Sequence, residues 1–303
     1  MYLSKRKKTE TIVAAFATFG LLLTFIACGG GVPEESTTIT TSDTDDKKLS
    51  VSDVLAMVSE ENDITRMLYT KAIVGAGKKQ GLKFDEDWQD DDVEAGPLPA
   101  LFLRGISSDI RKSDVPLGLY LGSDFPINAS NKFTGKQAEL FEKIKADEKP
   151  QFFFDEDQKM HTAMFADLAV AAPCVNCHND HKNTTKTDWK LGDVMGATTW
   201  QYPSDKLSYS EAIAVLNAYR NGTKAIYNAY LEEISAFKDS PKPAIGNKWP
   251  SGGFQLPTAE VFIDSVRKLA SYKSMEVLMS NADAPKKEKY IPLSSDKMEI
   301  AAN

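Results

Sequence analysis

The sequence predicts an α+β fold. Apolar residues recur at helical spacing in two regions, residues 50–77 and 208–237,. Between them, shorter apolar runs are bounded by Gly, Pro and acidic turns, which is typical of strands and hairpins. The chain has 303 residues, of which 42% are hydrophobic and 26% are charged, so it can build a core of ordinary size,.

The first 28 residues predict export from the cytoplasm. A basic start, Lys5–Lys8, is followed by the uncharged and mostly apolar run Thr11–Ala27 and then by Cys28,. This arrangement resembles the lipobox of bacterial lipoproteins, in which the cysteine receives a diacylglycerol. We expect a signal peptide over 1–28, lipidation of Cys28 and a periplasmic protein held to a membrane by its lipid. An uncleaved anchor helix and an ordinary cleaved signal are the alternatives.

Residues 29–50 predict a flexible tether, because they are rich in Gly, Ser, Thr and Asp and contain few large apolar side chains,. The formal net charge of the whole chain is -7. An acidic protein is a poor ligand for phosphate backbones, so we expect no nucleic-acid partner.

The spacing of apolar residues predicts most helices and strands of the folded part. We expect helices over 50–77, 98–111 and 136–146, and strands over 118–123, 151–154, 160–168 and 194–202,. Ser208 and Glu211 have capping-box spacing and open a helix toward Phe237, which the pair Asn221-Gly222 is expected to weaken or break,. A final helix over 258–272 and a strand over 275–279 complete the prediction.

Two segments suggest a partial internal repeat. Leu98-Pro99 and Leu256-Pro257 each follow a long helix and a loop with a tryptophan, and each precedes a helix,. We therefore divide the folded part into a domain over 51–205 and a mainly helical C-terminal region over 206–303.

The motif Cys174-Val175-Asn176-Cys177-His178 carries the predicted chemistry. C-x-x-C-H is the attachment signature of c-type haem. Two thiols form thioethers with the two vinyl groups of the porphyrin, and the adjacent imidazole ligates the iron. We expect one covalent haem c, bound through Cys174 and Cys177, with His178 as an axial ligand of the haem iron.

Two other kinds of site use the same residue types. A zinc site could combine Cys174, Cys177, His178 and His181, but four ligands within eight residues do not easily close a tetrahedron,. A redox dithiol or a disulfide would leave His178 without a role, and Pro173 and the helix-poor sequence after the motif do not suggest the strand-to-helix turn of a βαβ unit.

The sixth position of the iron has few candidates. His161, on the strand before the motif, is a possible distal ligand or a hydrogen-bonded, partly buried histidine. His181 is a weaker candidate, and a solvated loop histidine or a partner of a haem propionate is the other interpretation. Four methionines could offer a thioether or simply fill the core: Met67, Met160, Met164 and Met195,. An open sixth position is the remaining alternative.

The stretch Ala169–Ala197 resembles a domain-of-unknown-function family of extracytoplasmic c-type haem domains. Its most specific part is DWKLGDVMGA, after the motif, and further similarity extends over roughly 51–203. The resemblance implies a PAS-like antiparallel sheet flanked by helices, with haem against the sheet and His178 as one ligand. The family's cyanobacterial member uses a cysteine as the other ligand, for which this sequence has no free counterpart. Related copies are fused to bacterial sensor kinases and cyclases.

These observations predict a redox or gas-sensing haem module that acts through a partner protein, with a small gas as a possible ligand. The alternative is a mono-haem electron-transfer lipoprotein that exchanges electrons with a redox partner. A peroxidase-like enzyme would need a distal acid–base residue, for which His161 is the candidate.

Overall fold

The computed structural model describes residues 47–250 and 253–281. The predicted signal peptide, Cys28 and nearly all of the predicted tether lie outside these residues. The elements in chain order are β1 (Lys48–Ser50), α1 (Val51–Met67), a π-helical segment (Leu68–Gly75), α2 (Ala76–Lys79), β2 (Phe84–Asp85), β3 (Gly96–Pro97), α3 (Pro99–Ile110), β4 (Gly118–Gly122), a 3-10 turn (Ala129–Asn131), α4 (Gly135–Asp147), β5 (Gln151–Asp155), β6 (Met160–Leu168), α5 (Ala172–Asp180), β7 (Val194–Tyr202), β8 (Lys206–Ser208), α6 (Tyr209–Ala236), β9 (Ala244–Gly246), β10 (Gln255–Pro257) and α7 (Ala259–Asn281).

The predicted α+β class is confirmed, with a four-stranded antiparallel sheet between helices. The strand order is β4-β7-β6-β5. Because side chains alternate along a strand, Ala163 and Trp200 point into the main core toward α1 and α3, whereas Met164 and Ala197 pack with the α4 side chains,. Helices therefore cover both faces of the sheet, and the C-terminal end of β6 leads to the motif.

The C-terminal helices belong to the same core as the first half of the chain. Fully buried aromatic residues from both halves pack together, among them Tyr69, Phe102, Tyr227, Tyr230 and Phe262. A carboxylate inside this core, Glu61, has only 2% of its side chain exposed and is paired with Arg220 of α6. This ion pair and the shared apolar surface tie α1 to α6.

The internal repeat is visible in matching contacts. Tyr69 donates its hydroxyl to Pro97 O at 2.7 Å and stacks on Phe102, with ring centroids 3.9 Å apart. Tyr227 donates to Pro257 O at 3.1 Å and stacks on Phe262 at 4.7 Å. In each half a short parallel strand pair, β2–β3 or β9–β10, leads into the helix that carries the phenylalanine.

Matching elements of the two halves also pack against each other. β1 and β8 are antiparallel, with Leu49 directly opposite Leu207. The capping residues Ser50 and Ser208 then start α1 and α6,. α3 packs against α6, and α7 packs against α1 in the same way. Each half therefore completes the helical core of the other.

Three details of the prediction are wrong. α6 runs through Asn221-Gly222 without a break, because Gly222 lets α3 approach: an added Cβ there would lie 3.0 Å from Ile106 O. Residues 275–279 are helical, since α7 continues its buried stripe to Val277. The contacts also match Pro97 with Pro257, so the repeat is shifted by two residues from the predicted pairing of Pro99 with Pro257.

Only the first half carries the sheet, and the helix surfaces explain why. Leu55 of α1 is buried, with 1% exposed, and α1 contacts β6 and β7. Ile213 occupies the matching position on α6 and is 57% exposed, with polar residues along the same face.

Among the described residues, no helix has the length and apolar character needed to cross a bilayer.

Candidate functional site

The C-x-x-C-H motif lies on a helix that begins where β6 ends. α5 spans Ala172–Asp180 and has Pro173 in its first turn, a position where the missing N–H of proline costs nothing,. The helix ends at His181, whose N–H donates to Cys177 O at 2.9 Å. The expectation that the motif does not lie at a strand-to-helix turn is therefore wrong in part, since β6 leads into α5. The segment between α5 and β7 is not helical, as expected, and β6 and β7 are antiparallel neighbours, so they do not form a βαβ unit.

Helical geometry brings the three motif side chains to one side of α5. Residues three and four apart are neighbours on a helix, so Cys174 lies beside both Cys177 and His178. Both cysteines are free thiols; Cys174 is half-buried and Cys177 is exposed. This arrangement presents two sulfur atoms and an imidazole to one external group.

The protonation chemistry of the motif suits a ligand better than a nucleophile. Partial desolvation by nearby protein atoms raises the pKa of the Cys177 thiol, and the charge of Glu86 acts in the same direction. Reactive cysteines need a lowered pKa, so Cys177 does not resemble an activated redox thiol. Burial lowers the pKa of His178, against the opposing effect of Asp167, and the neutral imidazole is the form that binds metals,.

The imidazole of His178 also has an unpaired polar atom. Its Nδ1 is buried and has no hydrogen-bond partner among the described residues. Buried polar atoms without partners are uncommon and call for an explanation such as an absent ligand or water. The donor set of two thiols and a half-buried neutral imidazole fits the attachment of a c-type haem.

Two hydrogen bonds hold the loop after α5 against this helix. The side chain of Asn179 donates to Trp189 O at 3.1 Å and accepts from Trp189 N at 2.9 Å. Trp189 is 7% exposed and packs with Ala169 and Met195, against which Cys174 also packs. The hydrogen bonds and the packing of Trp189 therefore hold this loop against the motif helix.

His161 is not brought to the motif. It lies at the start of β6, and the motif follows the end of that strand; the seven residues from His161 to Leu168 span roughly 23 Å at about 3.3 Å each,. Its ring contacts Phe154 at a centroid distance of 4.9 Å and lines a cavity of about 210 Å³ with Leu55. The placement gives no support to distal ligation by His161.

His181 is close to the motif but is already engaged. Its Nε2 lies 2.9 Å from Glu86 Oε1, and its Nδ1 accepts the N–H of Asn183 at 3.0 Å. Since Nδ1 accepts, the proton lies on Nε2 and is donated to Glu86. His181 therefore ties the end of α5 to the loop after β2, and this favours the structural interpretation of this residue.

Three neighbours of the motif were not predicted from the sequence: Arg66, Asp167 and Asn179. Arg66 forms an ion pair with Asp167 beside α5. Charged residues on a helix usually mark a solvated face, so Arg66 on α1 carries no signal by itself. Only the packing of α1 along β6 brings it to Asp167 at the end of that strand.

Comparison with known families places the chain. The model of the Tll0287-like family, a family of unknown function, matches residues 39–203, more than half of the chain. The chain belongs to the Tll0287-like family. No curated protein and no solved structure matches it.

The Tll0287-like match agrees with the resemblance stated from the motif region. It covers β1 to β7 and ends before β8, where the second half of the internal repeat begins. The family region is therefore the half that carries the sheet and the C-x-x-C-H motif, and the helical core it needs is completed by residues that the match does not include.

Proposed function

We propose that this Tll0287-like protein is a c-type haem protein, tethered outside the cytoplasm, that senses redox state or a small gas and acts through a partner protein. The observation that carries the haem proposal is the side-by-side arrangement of Cys174, Cys177 and His178 on α5, with the buried Nδ1 of His178 lacking a partner. The tether and the lipid at Cys28 rest on the sequence pattern alone,.

The residues of the chain divide the work of holding the cofactor. Cys174 and Cys177 would form the two thioethers, and His178 would ligate the iron. The Asn179–Trp189 hydrogen bonds would hold α5 in place while these bonds form. Haem bound there would supply one-electron chemistry and a binding position for a diatomic gas.

The sensing role is proposed over a peroxidase-like activity because of where His161 lies. A peroxidase needs an acid–base side chain close to the iron on its open side. His161, the residue on which that activity depended, contacts Phe154 at the far end of β6. No replacement histidine follows from the described residues, since His181 donates to Glu86.

The decisive experiment is the pyridine haemochrome spectrum and intact mass of protein made in a host that matures c-type cytochromes. We expect one covalent haem in the wild type, its loss in the double variant Cys174→Ser/Cys177→Ser, and its retention in the control His161→Ala. A wild-type protein without a haemochrome band would overturn the proposal. Labelled fatty acid incorporated by the wild type but not by Cys28→Ser would test the anchor.

A carbon monoxide titration of the reduced protein separates the sensor from a mono-haem electron carrier. A sensor has an open or displaceable sixth position, so we expect a shifted Soret band when CO is added. An electron carrier has two strong protein ligands and would show no change. The second result would exclude gas sensing, leave electron transfer or redox sensing as the role, and leave the haem proposal intact.

A further inference from the structure

Two exposed phenylalanines line a groove beside the start of α1. Phe153 packs among the α4 side chains, so Phe152 and Phe154, its neighbours on β5, face the α1 side of the sheet,. α1 packs along β6 and β7, and Phe152 and Phe154 are 45% and 40% exposed. Val51 and Leu55 of α1 also line this groove, which has a volume of about 210 Å³. The start of α1 is therefore open on its β5 side, with two aromatic rings at the surface.

The end of α7 also lies beside the start of α1. Asn281, the last residue of α7, donates its side-chain N–H to Asp53 Oδ2 at 3.4 Å. In the last turns of α7, Tyr272, Met275 and Met279 are 79%, 57% and 70% exposed. They recur at spacings of three and four residues, so they form one stripe on the outer side of the helix. A second set of exposed apolar side chains thus lies at the same end of the molecule.

This end is also where the predicted tether joins the fold. β1, Lys48–Ser50, leads directly into α1. Residues 29–46 lie between Cys28 and the described part of the chain, and an extended chain of that length spans about 60 Å,. A lipid on Cys28 would keep the start of α1 within about that distance of the membrane. We define the tether end as the start of α1 together with the five exposed side chains beside it: Phe152, Phe154, Tyr272, Met275 and Met279.

The charges beside these apolar side chains are paired. Glu156 and Lys159, in the turn after β5, form an ion pair at 3.0 Å, and Lys273 and Glu276 of α7 form one at 2.9 Å. Each pair is neutral overall, so apolar contact rather than charge would bind the tether end to another surface. Soluble proteins rarely expose several large apolar side chains close together unless that surface binds a partner or a membrane.

We propose that the tether end docks on the phospholipid surface of the membrane, with its exposed apolar side chains in the headgroup region. This inference rests on the proposed lipid anchor at Cys28. An exposed apolar face of a helix gains free energy when it leaves water for the boundary between headgroups and acyl chains. The lipid and the tether end would then be two separate attachments of one chain to the same bilayer.

The proposed docking keeps the C-x-x-C-H motif away from the lipid. α1 begins at the tether end and reaches Arg66, which forms an ion pair with Asp167 near the end of β6. The helix from Ser52 to Arg66 is about 21 Å long at about 1.5 Å per residue. The motif helix α5 follows β6. A group bound by the motif would therefore lie in water, about 20 Å from the lipid surface, where a soluble partner protein can reach it.

A weak apolar contact is sufficient once the chain is anchored. A single acyl chain binds a bilayer with an association constant of about 10⁴ M⁻¹. A short linker holds its second binding site at an effective concentration of about 1 mM. The product of these values is about 10, so a tether end with the affinity of one acyl chain would be docked about 90% of the time.

The test is the rate at which a water-soluble oxidant converts individual methionines to sulfoxides, measured by mass spectrometry of peptides. The lipidated protein in vesicles of phosphatidylethanolamine and phosphatidylglycerol is compared with a secreted form that carries an ordinary signal peptide and no lipid. We expect Met275 and Met279 to react about tenfold more slowly in the vesicles. Met67, which is 36% exposed at the other end of α1, is the internal control and should react equally in both.

A matched pair of serine variants locates the contact. Tyr272→Ser removes a 79% exposed side chain from the tether end, and Leu191→Ser removes a 64% exposed side chain from the loop after α5. In vesicles, Tyr272→Ser should raise the oxidation rate of Met279 about threefold through weaker docking, with no change in the secreted form. Leu191→Ser should leave the rate of Met279 unchanged in both.

Three results would overturn the inference. Equal rates of Met275 and Met279 in vesicles and in the secreted form would refute the docking and leave the anchor intact. Oxidation of these two methionines that is slow in the secreted form as well would assign the patch to a protein contact instead of lipid. A chain that incorporates no labelled fatty acid would refute the proposed anchor and the docking together.

Discussion

Gly196→Ala should destabilise the four-stranded sheet where β7 lies between β4 and β6. Gly196 lies on β7 opposite Asp167 of β6, and its other side faces β4. A Cβ added at this position would lie 2.4 Å from the backbone oxygen of Gly122, about 1 Å closer than ordinary contact. A backbone oxygen in a paired strand cannot rotate away, so the strands β4 and β7 must move apart.

The expected cost follows from two opposing terms. Overpacking against backbone costs about 3 kcal/mol, and replacing glycine by alanine within a strand recovers about 0.5–1 kcal/mol of backbone entropy. The net loss of about 2 kcal/mol corresponds to a fall in Tm of roughly 4–8 °C for a domain of this size. The matched control is Gly246→Ala, where no atom lies within 4 Å of the added Cβ, and it should leave the Tm unchanged or slightly raised. Equal melting temperatures of the two variants by circular dichroism would refute the packing argument.

Two further predictions concern charged groups. Arg220→Met leaves the buried carboxylate of Glu61 without its partner and should lower the free energy of unfolding in urea by about 2–4 kcal/mol, with partial recovery in Glu61→Leu/Arg220→Met,; a double variant no more stable than the single one would contradict this. Glu94 accepts backbone N–H groups of Asp239, Lys238 and Ser240, which lower its pKa to about 2. Since the folded pKa lies below the unfolded value of 4.5, the stabilisation is present above pH 4.5 and is lost as the pH falls toward 2,. The free energy of unfolding should therefore fall less steeply with decreasing pH in Glu94→Gln than in the wild type. Identical curves would show that the hydrogen bonds of Glu94 do not stabilise the protein.

Strong local patterns gave correct elements. The capping box at Ser208 starts α6 where it was expected, and the hairpin of β5 and β6 follows the apolar runs on either side of an acidic turn,. The burial of this hairpin does not follow from its apolar composition, since Phe152 and Phe154 of β5 are 45% and 40% exposed. β5 lies at the edge of the sheet, and a local sequence pattern does not show where a strand lies within its sheet.

The errors around the motif have a common physical cause. His161 was considered as a ligand because it precedes the motif in sequence, but an extended strand separates residues by more than 3 Å each. Arg66 was overlooked because it is far from the motif in sequence and pairs with Asp167 only after α1 packs along β6. Sequence distance and spatial distance diverge wherever the chain is extended or folds back.

The sequence by itself determined the residues that can bond a cofactor, because C-x-x-C-H places two thiols and an imidazole within one turn of chain whatever surrounds them. It also determined most helices and strands, since these follow from local periodicity. Only the tertiary structure decided which charges lie beside the motif, that His161 lies away from it, and that the two halves complete one another's core. Those features depend on long-range packing, in which the energy of a residue is set by neighbours that are distant in the chain.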